Sequence, residues 1–213
     1  MRMIPATAVL SLILVAGPAQ VRGDGMPSPE LSTVSWELGA GQSAILLVVP
    51  DGDGPAFTAA RDANGAEVDA TIRLVLRDGS GFPIAMFPAE DMWIESADQG
   101  LVFCAGGGSA DHWTDALGST TWSLPRRAGG HSQTSCRVFV NGLPVTGGIN
   151  PELHFNSPDI NGDLYVNLLD VAAFTRDYYG AYEFRSDLAR DAVLNLADVA
   201  VMVAYIHIGA GCP

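Results

Sequence analysis

Two spacings of apolar and polar residues divide the chain. After a Pro/Gly-containing lead-in at 23–29, short apolar runs alternate with turn signals up to about residue 156. That pattern predicts strands joined by tight turns. It is clearest at 71–77, where Ile72, Leu74 and Leu76 share one face while Arg73 and Arg77 share the other. The run 43–49 is mostly apolar and reads as a buried strand, ended by Asp51-Gly52-Asp53-Gly54-Pro55. Further strands are expected at 92–96, 101–104, 120–124, 136–140 and 153–155, with a turn at 78–81 and a tight one at Asn141-Gly142. Helical periodicity is absent here. The expected fold class is therefore mainly β, an Ig-like antiparallel β-sandwich followed by a small α-helical module.

Beyond Asn156-Ser157-Pro158 the spacing changes. Two segments, 159–180 and 187–208, repeat with an offset of 28 residues. The repeat pairs Asp159 with Asp187, Asp163 with Asp191, Asn167 with Asn195 and Asp170 with Asp198; Leu168, Val171 and Ala172 also recur. Each polar loop leads into an apolar helix, the first read as 168–178 with a stop at Gly180, the second as 196–208 with a stop at Gly209. In the first loop, oxygen-bearing side chains stand at positions 1, 3, 5, 9 and 12. A hard cation such as calcium takes six to eight oxygens at this spacing, with a backbone carbonyl at position 7. The expected ligands are Asp159, Asn161, Asp163, the Tyr165 carbonyl, Asn167 and Asp170. The second loop offers Asp187, Asp191, the Val193 carbonyl, Asn195 and Asp198, but has Ala189 at position 3 and Arg190 at position 4. Both loops lack glycine at position 6, where Leu164 and Ala192 stand.

Composition narrows the classes. At 213 residues, 48% hydrophobic and 16% charged, the chain has the make-up of a folding protein. Its net charge of −13 excludes nucleic acid as a natural partner. All 11 basic residues are arginine, which removes every lysine-dependent chemistry. Residues 1–23 read as a signal peptide: Arg2, an apolar run at 4–16, then small residues before a cut after Ala19 or Gly23. No later stretch is long and apolar enough for a membrane span. Residues 24–156 are assigned to the sandwich and 157–213 to the calcium-binding module, in a secreted or extracellular protein, including a surface-associated one. In an oxidising compartment cysteines pair. Cys104 and Cys136 each share a strand face with apolar residues, so Cys104–Cys136 is the expected disulfide. Cys212 is left free, pairs with another chain or replaces one of those partners.

The stretch 72–84, Ile-Arg-Leu-Val-Leu-Arg-Asp-Gly-Ser-Gly-Phe-Pro-Ile, with Thr114-Asp115-Ala116-Leu117-Gly118-Ser119-Thr120-Thr121, resembles bacterial Ig-like domains of the invasin and intimin kind. That resemblance implies a spacer or adhesive sandwich. The tandem loops resemble dockerin modules, of pattern D-x-N-x-D-G-x-V-N-x-x-D followed directly by a helix. The first loop departs from it only at the position-6 glycine. This resemblance implies EF-hand-type calcium loops and a helical face that docks onto a cohesin domain during assembly of secreted, often polysaccharide-degrading, enzymes. At the docking positions stand Leu168-Leu169 and Leu196-Ala197, apolar where that family often has small polar residues. A cohesin-like or other extracellular partner and packing of the helices on the neighbouring sandwich therefore both stay open.

No catalytic constellation is visible. His112, His131, His154 and His207 are scattered, and no nucleophile elbow appears. The expected function is non-catalytic binding or assembly with Ca2+ as the cofactor. The alternative is a small secreted carbohydrate-active enzyme or carbohydrate-binding protein with a dockerin-like tail. It would use an acidic pair such as Glu90 and Glu95, and tryptophans among Trp93, Trp113 and Trp122.

Overall fold

In the computed structural model, residues 25–206 and 211–213 are described. The signal segment expected at 1–23, and the end of the second helix with its stop at Gly209, lie outside the described residues. The described chain is mainly β. In order it forms β1 (Thr33–Trp36), β2 (Ser43–Leu47), β3 (Ala60–Arg61), β4 (Glu67–Val68), β5 (Ile72–Val75), β6 (Met92–Ser96) and β7 (Leu101–Phe103). Then come β8 (Ser119–Trp122), β9 (Ala128–Gly130), β10 (Cys136–Val140), β11 (Leu143–Pro144), β12 (Gly147–Gly148) and β13 (Glu152–Asn156). Two helices close the chain, α1 (Leu168–Tyr178) and α2 (Leu196–Ile206).

The strands assemble as β12-β1-β5-β8, β11-β10-β6, β13-β2-β3-β4 and the ribbon β7-β9. The expectation of a purely antiparallel arrangement is corrected at two places. β1 runs parallel to β12, and β2 runs parallel to β13 with Glu152 opposite Ser43 and Asn156 opposite Leu47. These partners lie far apart in sequence, so no hairpin dictates their direction, and a long crossover permits parallel pairing. The hairpin signal that is local does hold: Asn141 and Gly142 take φ of 49° and 81° between β10 and β11, the two positive values a tight turn of this hand requires.

Strand alternation builds the first core. Ile72, Leu74 and Leu76 are fully buried, together with Trp122, Phe57, Met92, Ile94 and Phe155, while Arg73 faces out. β2 and the two residues that follow it behave differently. Ala44, Leu46 and Val48 enter this core, whereas Leu47 and Val49 point the other way into a second cluster with Ile160, Val166, Phe174, Leu188 and Met202. The unbroken apolar run thus marks a strand covered on both faces. Full burial of each such side chain stabilises by about 2 kcal/mol, so Leu47 and Val49 fasten α1 and α2 to the back of β2.

Polar contacts reinforce that seam. Asn156 Nδ2 donates to the carbonyls of Phe184 at 2.9 Å and Asp187 at 2.7 Å. The Gly130 N–H donates to the Asp159 carbonyl at 2.7 Å. A disulfide joins Cys104 to Cys212, with Cα atoms 5.8 Å apart. This corrects the expected Cys104–Cys136 pairing. Cys136 does face the first core with Val138 and Val140, as its alternation requires. Cys104 has already left β7, its N–H bonded to the Arg127 carbonyl, and lies outside that cluster, where Cys212 meets it. Cys136 remains a buried free thiol, and burial raises its pKa far above the ordinary range.

Candidate metal centre

The first loop folds around its own acceptors. Asp159, fully buried, receives N–H bonds at Oδ1 from Gly162 (3.0 Å) and Asp163 (3.2 Å), and at Oδ2 from Leu164 (2.8 Å). Asn161 Oδ1 accepts from Asp163 N–H, Asp163 Oδ1 from Tyr165 N–H and Asn167 Oδ1 from Leu169 N–H, each at 2.8 to 3.0 Å. Asp170 closes the loop, Oδ1 taking the Asn161 N–H at 3.1 Å and Oδ2 the Asn167 N–H at 2.9 Å. Asn167 and Asp170 thereby form the capping box that starts α1. Asp170 also sits in the first helical turn, where a carboxylate complements the helix dipole.

These bonds bring the predicted ligands toward one another. Asn161 Nδ2 lies 3.1 Å and Asn167 Nδ2 3.5 Å from Asp163 Oδ2, and Asn167 Nδ2 lies 3.2 Å from the Tyr165 carbonyl oxygen. Positions 3, 5, 7 and 9 therefore converge. Burial, together with the nearby Asp170 and Asp163 carboxylates, raises the Asp159 pKa to about 6 despite the N–H bonds that oppose it. Asp170 is raised in the same way, by burial first. Neither Asp159 nor Asp170 makes an ion pair among the described residues. Two buried carboxylates beside each other, without a cation, are the electrostatic condition that a bound divalent ion relieves. Among the described residues no three His, Cys, Asp or Glu side chains gather by themselves around an ion-sized point. The convergence in this loop includes amide and carbonyl groups.

The second loop repeats most of the framework, without the position-4 N–H bond to the first aspartate and without an acceptor at position 3, where Ala189 stands. Asp187 accepts from the N–H groups of Asp191 (3.1 Å) and Ala192 (2.8 Å), Asp191 from Val193, and Asn195 from Ala197. Asp198 accepts from Ala189 and Asn195, both at 2.8 Å. The position-6 residues Leu164 and Ala192 have φ of 69° and 63°. The fold thus demands the left-handed conformation at both, a cost of about 1 kcal/mol each where glycine would be free. Position 4 is left-handed as well, at Gly162 (72°) and Arg190 (60°).

Three features of this centre have no signature in the sequence. The Tyr182 hydroxyl donates to Asp187 Oδ2 at 2.9 Å, occupying a carboxylate oxygen of the second loop. Arg190 is not a solvated charge: it is buried, with Nη1 3.5 Å from the Ala59 carbonyl, and burial followed by repulsion from Arg61 lowers its pKa to about 10. Beneath the first loop, a Cβ on Gly129 of β9 would overlap Asp159 Oδ2. The sequence shows the Arg190 charge but not its burial against the Ala59 carbonyl, 131 residues earlier in the chain.

At positions 10 and 11 the side chains face solvent. Leu168 is 77% exposed, Leu169 64% and Leu196 75%, while Phe174 and Met202 turn to the second core. The tryptophans divide: Trp122 is fully buried and donates Nε1–H to the Gly108 carbonyl at 3.0 Å, whereas Trp113 is exposed and Trp93 half-buried.

No protein-family model and no curated protein matches the chain. Among solved structures, the Lin-41 filamin domain is similar over 62% of this chain and 97% of that chain, at 15% identity and a TM-score of 0.30. A likeness at that level assigns neither a fold family nor a function. No helix among the described residues is long and apolar enough to cross a membrane.

Proposed function

We propose that the protein is an exported, non-catalytic binding or assembly factor in which an Ig-like β unit carries a dockerin-like, calcium-ordered helical pair. The observation that carries this reading is the shared hydrogen-bond framework of the two loops, which gathers Asn161, Asp163, the Tyr165 carbonyl and Asn167 next to the buried Asp159 and Asp170. Each carries an oxygen of the kind calcium prefers; Asn161 and Asn167 meet Asp163 through Nδ2, so their Oδ1 atoms would reach a cation only after the amides turn. Calcium bound there would supply the positive charge that Asp159 and Asp170 lack. The second loop is the weaker site, because position 3 is Ala189, Tyr182 engages Asp187, and Arg190 stands at position 4. The Cys104–Cys212 disulfide accords with an oxidising compartment.

Partner docking would use the faces that intramolecular packing leaves free. One face of each helix is spent on the second core, while Leu168, Leu169 and Leu196 are open to solvent. The test is co-elution of the chain with a cohesin domain in calcium and in chelator. Calcium-dependent co-elution that is lost in Leu168→Asp/Leu196→Asp, with an unchanged melting temperature, is the expected result. Absence of a complex in calcium refutes the cohesin half of the proposal and leaves the metal half to its own measurement.

A further inference from the structure

A cavity of about 620 Å³ lies between β6, β7 and the segment 106–109. Among its walls are Glu90, Trp93, Glu95, Gln99, Val102 and Phe103. Strand geometry explains the grouping. Ile94 and Met92 face the first core, so Trp93 and Glu95 project from the opposite side of β6. On one flank of β6 runs β10, whose Phe139 pairs in register with Trp93 and stacks its ring on the indole at 5.8 Å, the planes 9° apart. On the other flank the Ile94 N–H meets the Gly108 carbonyl at 3.1 Å and Trp93 bridges to Ser109. The cavity opens on this second flank, so Phe139 braces the indole from behind. Glu95 Oε1 accepts the Trp93 Nε1–H at 2.7 Å and fixes the ring's orientation.

The wall is therefore half flat and apolar, half acceptor-rich. Trp93, Phe103 and Val102 offer surface to C–H groups; Glu90, Glu95 and Gln99 offer oxygens to hydroxyl donors. Neither glutamate makes an ion pair among the described residues, and no arginine lines the cavity. Phosphate and carboxylate ligands find no cation here. A pyranose combines the two demands, an apolar C–H face and a rim of hydroxyl donors, and aromatic side chains suit ligands that are apolar on one face and polar at the edge. We propose that this cleft is a binding site for a neutral glycan, with Trp93 as the stacking platform and Glu90, Glu95 and Gln99 as hydroxyl acceptors. One of its walls, Val102, lies close to Gly162 of the first loop, so the cleft is tested with that loop held in excess calcium and its failure is read from sugar binding alone.

The test is titration of the mature chain, in excess calcium, with neutral hexasaccharides of β-1,4-linked glucose, xylose and mannose, followed by heat and by tryptophan fluorescence. At least one is expected to bind, with affinity reduced about tenfold or more in Trp93→Ala and several-fold in the surface variants Glu90→Gln and Gln99→Ala, which leave the core untouched. Failure of all three sugars to bind the wild type overturns the proposal. So does binding that is unchanged in both Glu90→Gln and Gln99→Ala, and so does preference for an arginine-rich peptide over every sugar.

Discussion

Asp177, at the end of α1, is the residue whose charge most clearly serves the structure. Arg185 donates to both of its oxygens, at 2.7 and 2.8 Å, and Ser186 Oγ donates at 2.8 Å, tying α1 to the turn that precedes the second loop. The Arg185 hydrogen bonds outweigh burial and hold the carboxyl below its ordinary 3.8. A depressed folded-state pKa contributes stability that is present above the unfolded value and lost as pH falls through the folded one. Wild type is thus expected to melt above Asp177→Asn at pH 7, with the gap closing below pH 3.8. Thermal melts of both proteins from pH 7 to pH 2.5 check this; a gap that is constant with pH contradicts it. By contrast, Leu164 and Ala192 spend stability on the left-handed conformation. Those costs persist at the same position of both loops, which marks the loop geometry, rather than local propensity, as what the fold preserves.

Among the elements, β9 and the first loop are fitted to each other at two glycines. The Gly130 N–H holds the Asp159 carbonyl, and bare Gly129 makes room for the Asp159 carboxylate. Gly129→Ala is expected to displace that carboxylate, lowering calcium affinity by about tenfold or more as a first-position ligand is lost, while Gly142→Ala, with nothing near its Cβ, affects only the local turn. Calorimetric affinities of the two variants decide the point; equal affinities contradict it. Much of this level could be read in the sequence. Alternation located β6 and β10 to the residue, and the loop repeat located α1, because both signals are local and periodic. The β1–β12 and β2–β13 pairings were not legible, since parallel partners distant in the chain carry no turn signal. Nor was the double duty of β2: an apolar run announces burial but not which cluster takes each face. The Cys104–Cys136 expectation failed for a related reason. Facing inward on a strand is a property of one residue, whereas a disulfide depends on which layer each inward face belongs to.

Across the whole molecule, the helical pair and the β unit share β2 and are closed by one covalent bond. Cys104 and Cys212 are separated by 108 residues, so their link constrains a long loop of the unfolded chain, worth about 5 kcal/mol on the chain-entropy account. Cys212→Ser is expected to lower denaturant stability by that order. Peptide mapping without reduction should recover Cys104 joined to Cys212, with Cys136 as the free thiol. A Cys104–Cys136 peptide, or a Cys212→Ser variant as stable as wild type, contradicts the arrangement. The central claim, that the first loop is a calcium site, is tested most directly by calorimetric titration of the chelator-treated mature protein with calcium, beside an Asp159→Ala/Asp163→Ala variant. The account predicts saturable heat for the wild type, a melting temperature that rises with calcium, and loss of the tighter binding in the variant. No heat and no change in melting temperature in the wild type, or identical isotherms for both proteins, would contradict it.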